Sequence, residues 1–222
     1  MMTNKLILTV FTFLLFITAQ AQEGLSFLAL GDSYTIGESV EEKERWPMQL
    51  QDSLNARGFN VDKPLIIART GWRTDELKAA IEKQKPGKNY DLVGLLIGVN
   101  NQYQGKSSSS YKPEFKELLN IAIDHAGGDH SKVFVVSIPD YGHTPFGEKD
   151  KDRIGKELDE YNAINREITE DAGVKYYNIT DLSRNGEPDM VASDNLHPSA
   201  RQYSLWVERM LQDPDFYQLL QQ

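Results

Sequence analysis

Residues 25–39 read LSFLALGDSYTIGES. A short apolar run (25–30) stops at Gly31, and Asp32, Ser33 and Tyr34 follow at once. Such a run suits a strand buried on both faces, the kind found inside a parallel sheet. Four more runs have the same character: PLIIA (64–68), DLVGLLIG (91–98), KVFVVSI (132–138) and the weaker VKYYNI (174–179).

Helical patterns separate them. Leu50 and Leu54 lie one turn apart within 46–56, with Pro47 acceptable in a first turn. Leu77, Ala80, Ile81 and Gln84 make a second stripe behind Thr74, which reads as its cap. Phe115, Leu118, Leu119, Ala122 and Ala126 make a third, closed by Gly127-Gly128. Ile154, Leu158, Tyr161, Ile164 and Ile168 make a fourth that ends near Gly173. Tyr203, Trp206, Val207, Met210 and Leu211 make a fifth, with Pro198 near its start. Residues 107–110, all serine, read as a flexible linker. Strand–helix alternation over the whole chain predicts a three-layer α/β fold with a mostly parallel sheet.

Composition bounds the rest. The 222 residues suit one domain with an ordinary core. The absence of cysteine excludes disulfide scaffolds, cysteine nucleophiles and thiolate zinc sites. A net charge of −9 repels phosphate backbones, which argues against nucleic-acid partners. Residues 1–21 read as a signal peptide. Lys5 precedes an apolar run, and Ala19-Gln20-Ala21 fits a small-x-small cleavage site. The run is shorter than the roughly 20 residues that span a bilayer. Cleavage would leave residues 22–222 as an exported domain without a membrane anchor, periplasmic or secreted.

In open α/β sheets, ligands bind beyond the carboxyl ends of the strands. Gly31-Asp32-Ser33-Tyr34 follows the first run, Thr70-Gly71-Trp72 the second and Gly98-Val99-Asn100-Asn101 the third. Pro139-Asp140-Tyr141-Gly142-His143 follows the fourth, and Asp194-Asn195-Leu196-His197 precedes the last helix. A serine hydroxyl attacks only when a base takes its proton. His197 can be that base, with Asp194 holding the imidazole and stabilising its cation. The Ser33 and Gly71 N–H groups and the Asn100 amide can supply an oxyanion hole. Gly-x-Ser-x-Gly is absent, because Thr35 stands where the second glycine belongs, so an α/β-hydrolase scaffold is excluded.

GDSYTIGES (31–39), TGW (70–72), GVNN (98–101) and DNLH (194–197) resemble, in order, the four blocks of the SGNH/GDSL hydrolase family. The resemblance covers the chain from Leu25 to the final helix. It implies a flavodoxin-like α/β/α sandwich of five parallel strands. It also implies Ser33 as nucleophile, Asp194 and His197 as the rest of the triad, and Gly71 and Asn100 in the oxyanion hole. Tyr34 stands where the name-giving motif has leucine, and Asn101 where many members carry an aspartate. IPDYGHTPFG (138–147) is similar to the stretch after the fourth strand of some secreted members.

The expected activity is a serine esterase needing no metal or organic cofactor, with short acyl esters on a glycan or small molecule as substrates. Lipase, lysophospholipase and thioesterase activities are the alternatives within the family. Tyr34, Trp72, Tyr103, Tyr141 and His143 are candidate substrate contacts. Asp32 is expected to bond local backbone. Two readings from other classes compete. One is a glycan-binding module built on the aromatic set. The other is a metal-dependent phosphoesterase using Asp32, Asp140, His143, Asp194 and His197.

Overall fold

Every residue of the first strand, β1 (Phe27–Gly31), is buried, as are all of β3 (Leu92–Leu96) and β4 (Val133–Val136). Continuous burial means cover on both faces, so these strands run side by side in the middle of a sheet. In the computed structural model, which describes residues 24–186 and 189–220, they do. β2 (Leu65–Ala68) and β5 (Lys175–Tyr177) form the edges, and the order is β2-β1-β3-β4-β5 with every pair parallel. Leu28 pairs with Leu65 on one side and Val93 on the other. This is the expected flavodoxin-like order. The expected signal peptide (1–21) lies outside the described residues.

Helices cover both faces. α2 (Trp46–Asn55) and α8 (Ala200–Leu211) pack together on one. α3 (Thr74–Gln84), α5 (Ser108–His125) and α6 (Lys151–Asp171) pack in a row on the other. On the α2 side, the rings of Phe27 and Phe134 lie 6.2 and 6.0 Å from that of fully buried Trp46. Gly94 of β3 makes room for them. A Cβ there would stand 2.7 Å from Phe134 and 2.9 Å from Trp46.

Three expectations are corrected. The third run ends as a strand at Leu96, because Gly98 adopts φ 131° and opens a helix, α4 (Val99–Tyr103). Residues 107–110 are no linker. The Ser107 hydroxyl accepts from the Ser110 N–H at 3.2 Å and caps α5, which begins at Ser108. Thr74 is the first residue of α3 rather than its cap. The Glu76 carboxylate accepts the Arg73 N–H at 3.0 Å, and the Thr74 hydroxyl bonds Asn101 and Glu114 instead. Besides α4, two further short helices appear, α1 (Ser33–Ile36) and α7 (Thr180–Ser183).

Candidate active site

The strand order reverses between β1 and β3, and a crevice opens there at the carboxyl ends. β1 ends at Gly31 and the chain turns straight into α1. Asp32 caps that helix, its Oδ1 accepting the Tyr34 N–H at 3.0 Å. Ser33 is thereby held at the first position of the helix, with 4% of its surface exposed. Asp32 is fully buried, and its Oδ2 has no hydrogen-bond partner. Burial pushes its carboxyl up to about 7, against the opposing pull of backbone N–H groups of Tyr34 and Gly98.

Asp194 and His197 meet through a local turn. Asp194 Oδ1 accepts the N–H groups of Leu196 (2.9 Å) and His197 (3.0 Å), which folds the segment back on itself. The imidazole Nδ1 then lies 2.6 Å from Asp194 Oδ2. A carboxylate only accepts, so Nδ1 carries the proton and Nε2 is left as the basic nitrogen. Burial works to raise the Asp194 carboxyl. Hydrogen bonds from Ser39, His197 and two backbone N–H groups outweigh it and hold the group well below the usual carboxylate range. The Tyr34 ring packs edge-on against the imidazole, with centroids 5.9 Å apart.

The loop after β2 and the helix after β3 are tied together. One Asn100 amide hydrogen goes to the Trp72 carbonyl at 3.0 Å, and Gln104 Nε2 donates to the Gly71 carbonyl at 3.2 Å. Gly71 adopts φ 87°, and a Cβ there would meet nothing within 4 Å. Its backbone thus favours glycine while the space beside it stays open. Beneath, fully buried Asn101 accepts the Thr74 N–H at 3.1 Å and donates to the Thr74 hydroxyl at 2.6 Å, locking α4 onto α3.

A cavity of about 290 Å³ lies over these groups. Ser33, Gly71, Asn100 and His197 line it, with Tyr34, Thr70, Val99, Tyr103, Tyr141, Phe146 and Leu196. Tyr103, Tyr141 and Phe146 form a ring cluster at 6.1–6.3 Å between centroids. The Tyr141 hydroxyl donates to Gln102 at 3.0 Å, and the Phe146 N–H donates to the Asn195 carbonyl at 3.1 Å. Tyr103 and Phe146 are more than half-exposed or close to it, at 58% and 50%.

Two expected substrate contacts are not brought to this cavity. Trp72 packs its ring against the hydrophobic core and offers only its carbonyl, to Asn100. His143 stands away from the cavity, its Nδ1 3.4 Å from Asp140 Oδ2. Asp140 is already held by Arg184 Nε at 2.8 Å and by the Gly142 N–H at 2.8 Å. Desolvation pushes the His143 pKa down, against the opposing pull of the Asp140 carboxylate. The five acidic and histidine residues of the phosphoesterase reading do not gather. Among the described residues no three such side chains form a metal-binding group. Asn101, Phe146, Val99 and Leu196 were not singled out as site residues by sequence reasoning, although each falls inside or beside a recognised block. Ser39, whose hydroxyl reaches Asp194, closes the first block, but nothing in the sequence pairs it with Asp194.

Known proteins agree with this architecture. The crystal structure of TesA superposes with a TM-score of 0.66 at 16% identity, covering 88% of this chain and 99% of its own. The esterase EstA from Pseudoalteromonas sp. gives 0.61 at 20% identity, covering 85% and 95%. A lipase/acylhydrolase from Enterococcus faecalis gives 0.65 at 18% identity, covering 86% and 95%. At these identities the likeness shows the fold. No curated protein matches the chain. The family model of the GDSL-like lipases and acylhydrolases matches residues 29–205, from the first strand to the middle of α8. The four sequence blocks, the strand order and that match converge: the chain belongs to the GDSL-like lipase/acylhydrolase family and is a carboxylic ester hydrolase.

Proposed function

We propose that the protein is an exported serine esterase that removes short acyl groups, acetyl foremost, from a glycan or a small molecule. Ser33 Oγ attacks the ester carbonyl as its proton passes to His197 Nε2. The carbonyl oxygen becomes an oxyanion, received by the Ser33 and Gly71 N–H groups and the second Asn100 amide hydrogen. Collapse breaks the bond to the leaving alcohol, which takes the proton from His197. A water then gives a proton to His197, attacks the acyl-enzyme and frees the acid, and the proton returns to Ser33. Asp194 stabilises the imidazolium in both halves.

The observation that carries this reading is that Ser33, Gly71, Asn100 and His197 share one cavity, with Asp194 bonded behind the imidazole. The modest cavity supports a short acyl group. The exposed rings of Tyr103 and Phe146 offer flat apolar faces to a sugar. The same rings, with Val99 and Leu196, also support a second reading in which a longer acyl chain lies along the cavity. The apolar run at 6–19 ahead of Ala19-Gln20-Ala21 supports export.

The test is hydrolysis of nitrophenyl esters from acetyl to long acyl chains, by wild type and Ser33→Ala in parallel. Turnover should fall steeply beyond short chains and drop by about 10⁴-fold or more in the variant. A long-chain preference selects the second reading. Substantial turnover by Ser33→Ala overturns the serine mechanism.

A further inference from the structure

Ser39 lies on the loop between α1 and α2, 155 residues from Asp194, and its hydroxyl donates to Asp194 Oδ2 at 2.6 Å. This is the same oxygen that receives His197 Nδ1. Ser39 holds φ 66°, a left-handed conformation that is strained for a residue with a Cβ. The loop is pinned at the residue just before it. The Glu38 N–H donates to the Ser33 carbonyl at 3.0 Å, and the Glu38 carboxylate accepts from the Thr70 hydroxyl. The loop therefore starts at the nucleophile helix, touches the residue before Gly71 and ends on the triad carboxylate.

We infer that Ser39 is a positioning residue, a fixed fourth member of the Ser33–His197–Asp194 relay. This rests on the serine mechanism proposed above. The Asp194 side chain is 29% exposed, so without Ser39 its outer oxygen would take hydrogen bonds from exchanging water. A hydroxyl held by a constrained backbone replaces those waters with one donor already in place. A donor in place needs no reorganisation when charge develops on the imidazole. Glycine would adopt this backbone without strain, so the serine is explained by its hydroxyl and not by its conformation. Glu38, Arg45 and buried Asp32 are the ionisable groups that, with Asp194, act on buried Tyr203 at this corner, and the test leaves them unchanged.

The test compares Ser39→Gly and Ser39→Ala with wild type and Ser33→Ala, reading kcat, KM and Tm on a nitrophenyl ester that wild type cleaves. Both Ser39 variants lack the hydroxyl, but only alanine keeps the backbone strain. The expected result is a fall in kcat of about tenfold in both, with KM unchanged, while the glycine variant melts higher than the alanine variant. Wild-type kcat in the glycine variant overturns the inference. So does a kcat that rises and falls with Tm, or an effect confined to KM. If Ser33→Ala itself retains turnover, the serine mechanism fails and this inference fails with it. A dead Ser33→Ala beside a fully active Ser39→Gly removes the inference alone.

Discussion

In the proposed mechanism the Asn100 side chain is split between structure and chemistry. One amide hydrogen bonds the Trp72 carbonyl, which fixes the plane of the group. The other is left for the oxyanion that the proposed mechanism assigns to it, and a donor already held in place needs no reorganisation. Asn100→Ala should lower kcat by about 10²–10³-fold with little change in KM, read from steady-state kinetics on a short-chain ester. Asp32 makes the opposite bargain. Its carboxyl sits near 3.8 when exposed but is pushed up to about 7 by burial in the fold. Between about pH 4 and 7 the folded protein holds a proton that the unfolded chain has lost, so Asp32 makes stability fall as pH rises through that window. Asp194 acts with the reverse sign: its lowered pKa adds stability above its ordinary range, which is lost as pH falls. Asp32→Asn keeps an oxygen for the Tyr34 N–H and removes the titration. Urea denaturation across pH 4–8 should show a flatter profile, with the variant gaining on wild type toward pH 7.

At the scale of elements, the strands were legible because burial on both faces leaves no alternation to misread. Phe27–Gly31, Leu92–Leu96 and Val133–Val136 are apolar throughout and buried throughout. The long helices showed their stripes for the same reason. α1 and α4 did not, since four or five residues cannot display a helical period. Yet these two carry Ser33 and Asn100. The four-serine stretch misled for a different reason: serine is both a linker residue and a preferred N-cap, and only the chain geometry at Ser110 separates the two. The tight packing between β3 and its neighbours makes a prediction at this scale. Gly94→Ala places a methyl group against Phe134 and Trp46 and should cost about 1–3 kcal/mol, measured by chemical denaturation.

At the scale of the molecule, the C-terminal segment finishes the core. Phe216, fully buried in the last turn (Pro214–Leu220), lies 5.7 Å ring to ring from both Phe134 and Tyr177, and so covers β4 and β5. Phe216→Ala should cost about 3–5 kcal/mol in urea unfolding while leaving KM unchanged, because the active-site crevice lies between β1 and β3. Whatever depends on neighbours in the chain was determined by sequence. The buried runs specify strands, and their alternation with helices specifies a parallel sheet. Asp194 and His197 pair within one turn, because three residues suffice to bring a carboxylate under an imidazole. Whatever depends on distant segments was decided by the tertiary structure. It sent Trp72 to the core and His143 to the Asp140–Arg184 pair, and brought Phe146 to the cavity rim. It also put Ser39 on Asp194. A short polar or aromatic side chain carries no mark of its partner, and only the packing of the sheet determines which of these segments meet.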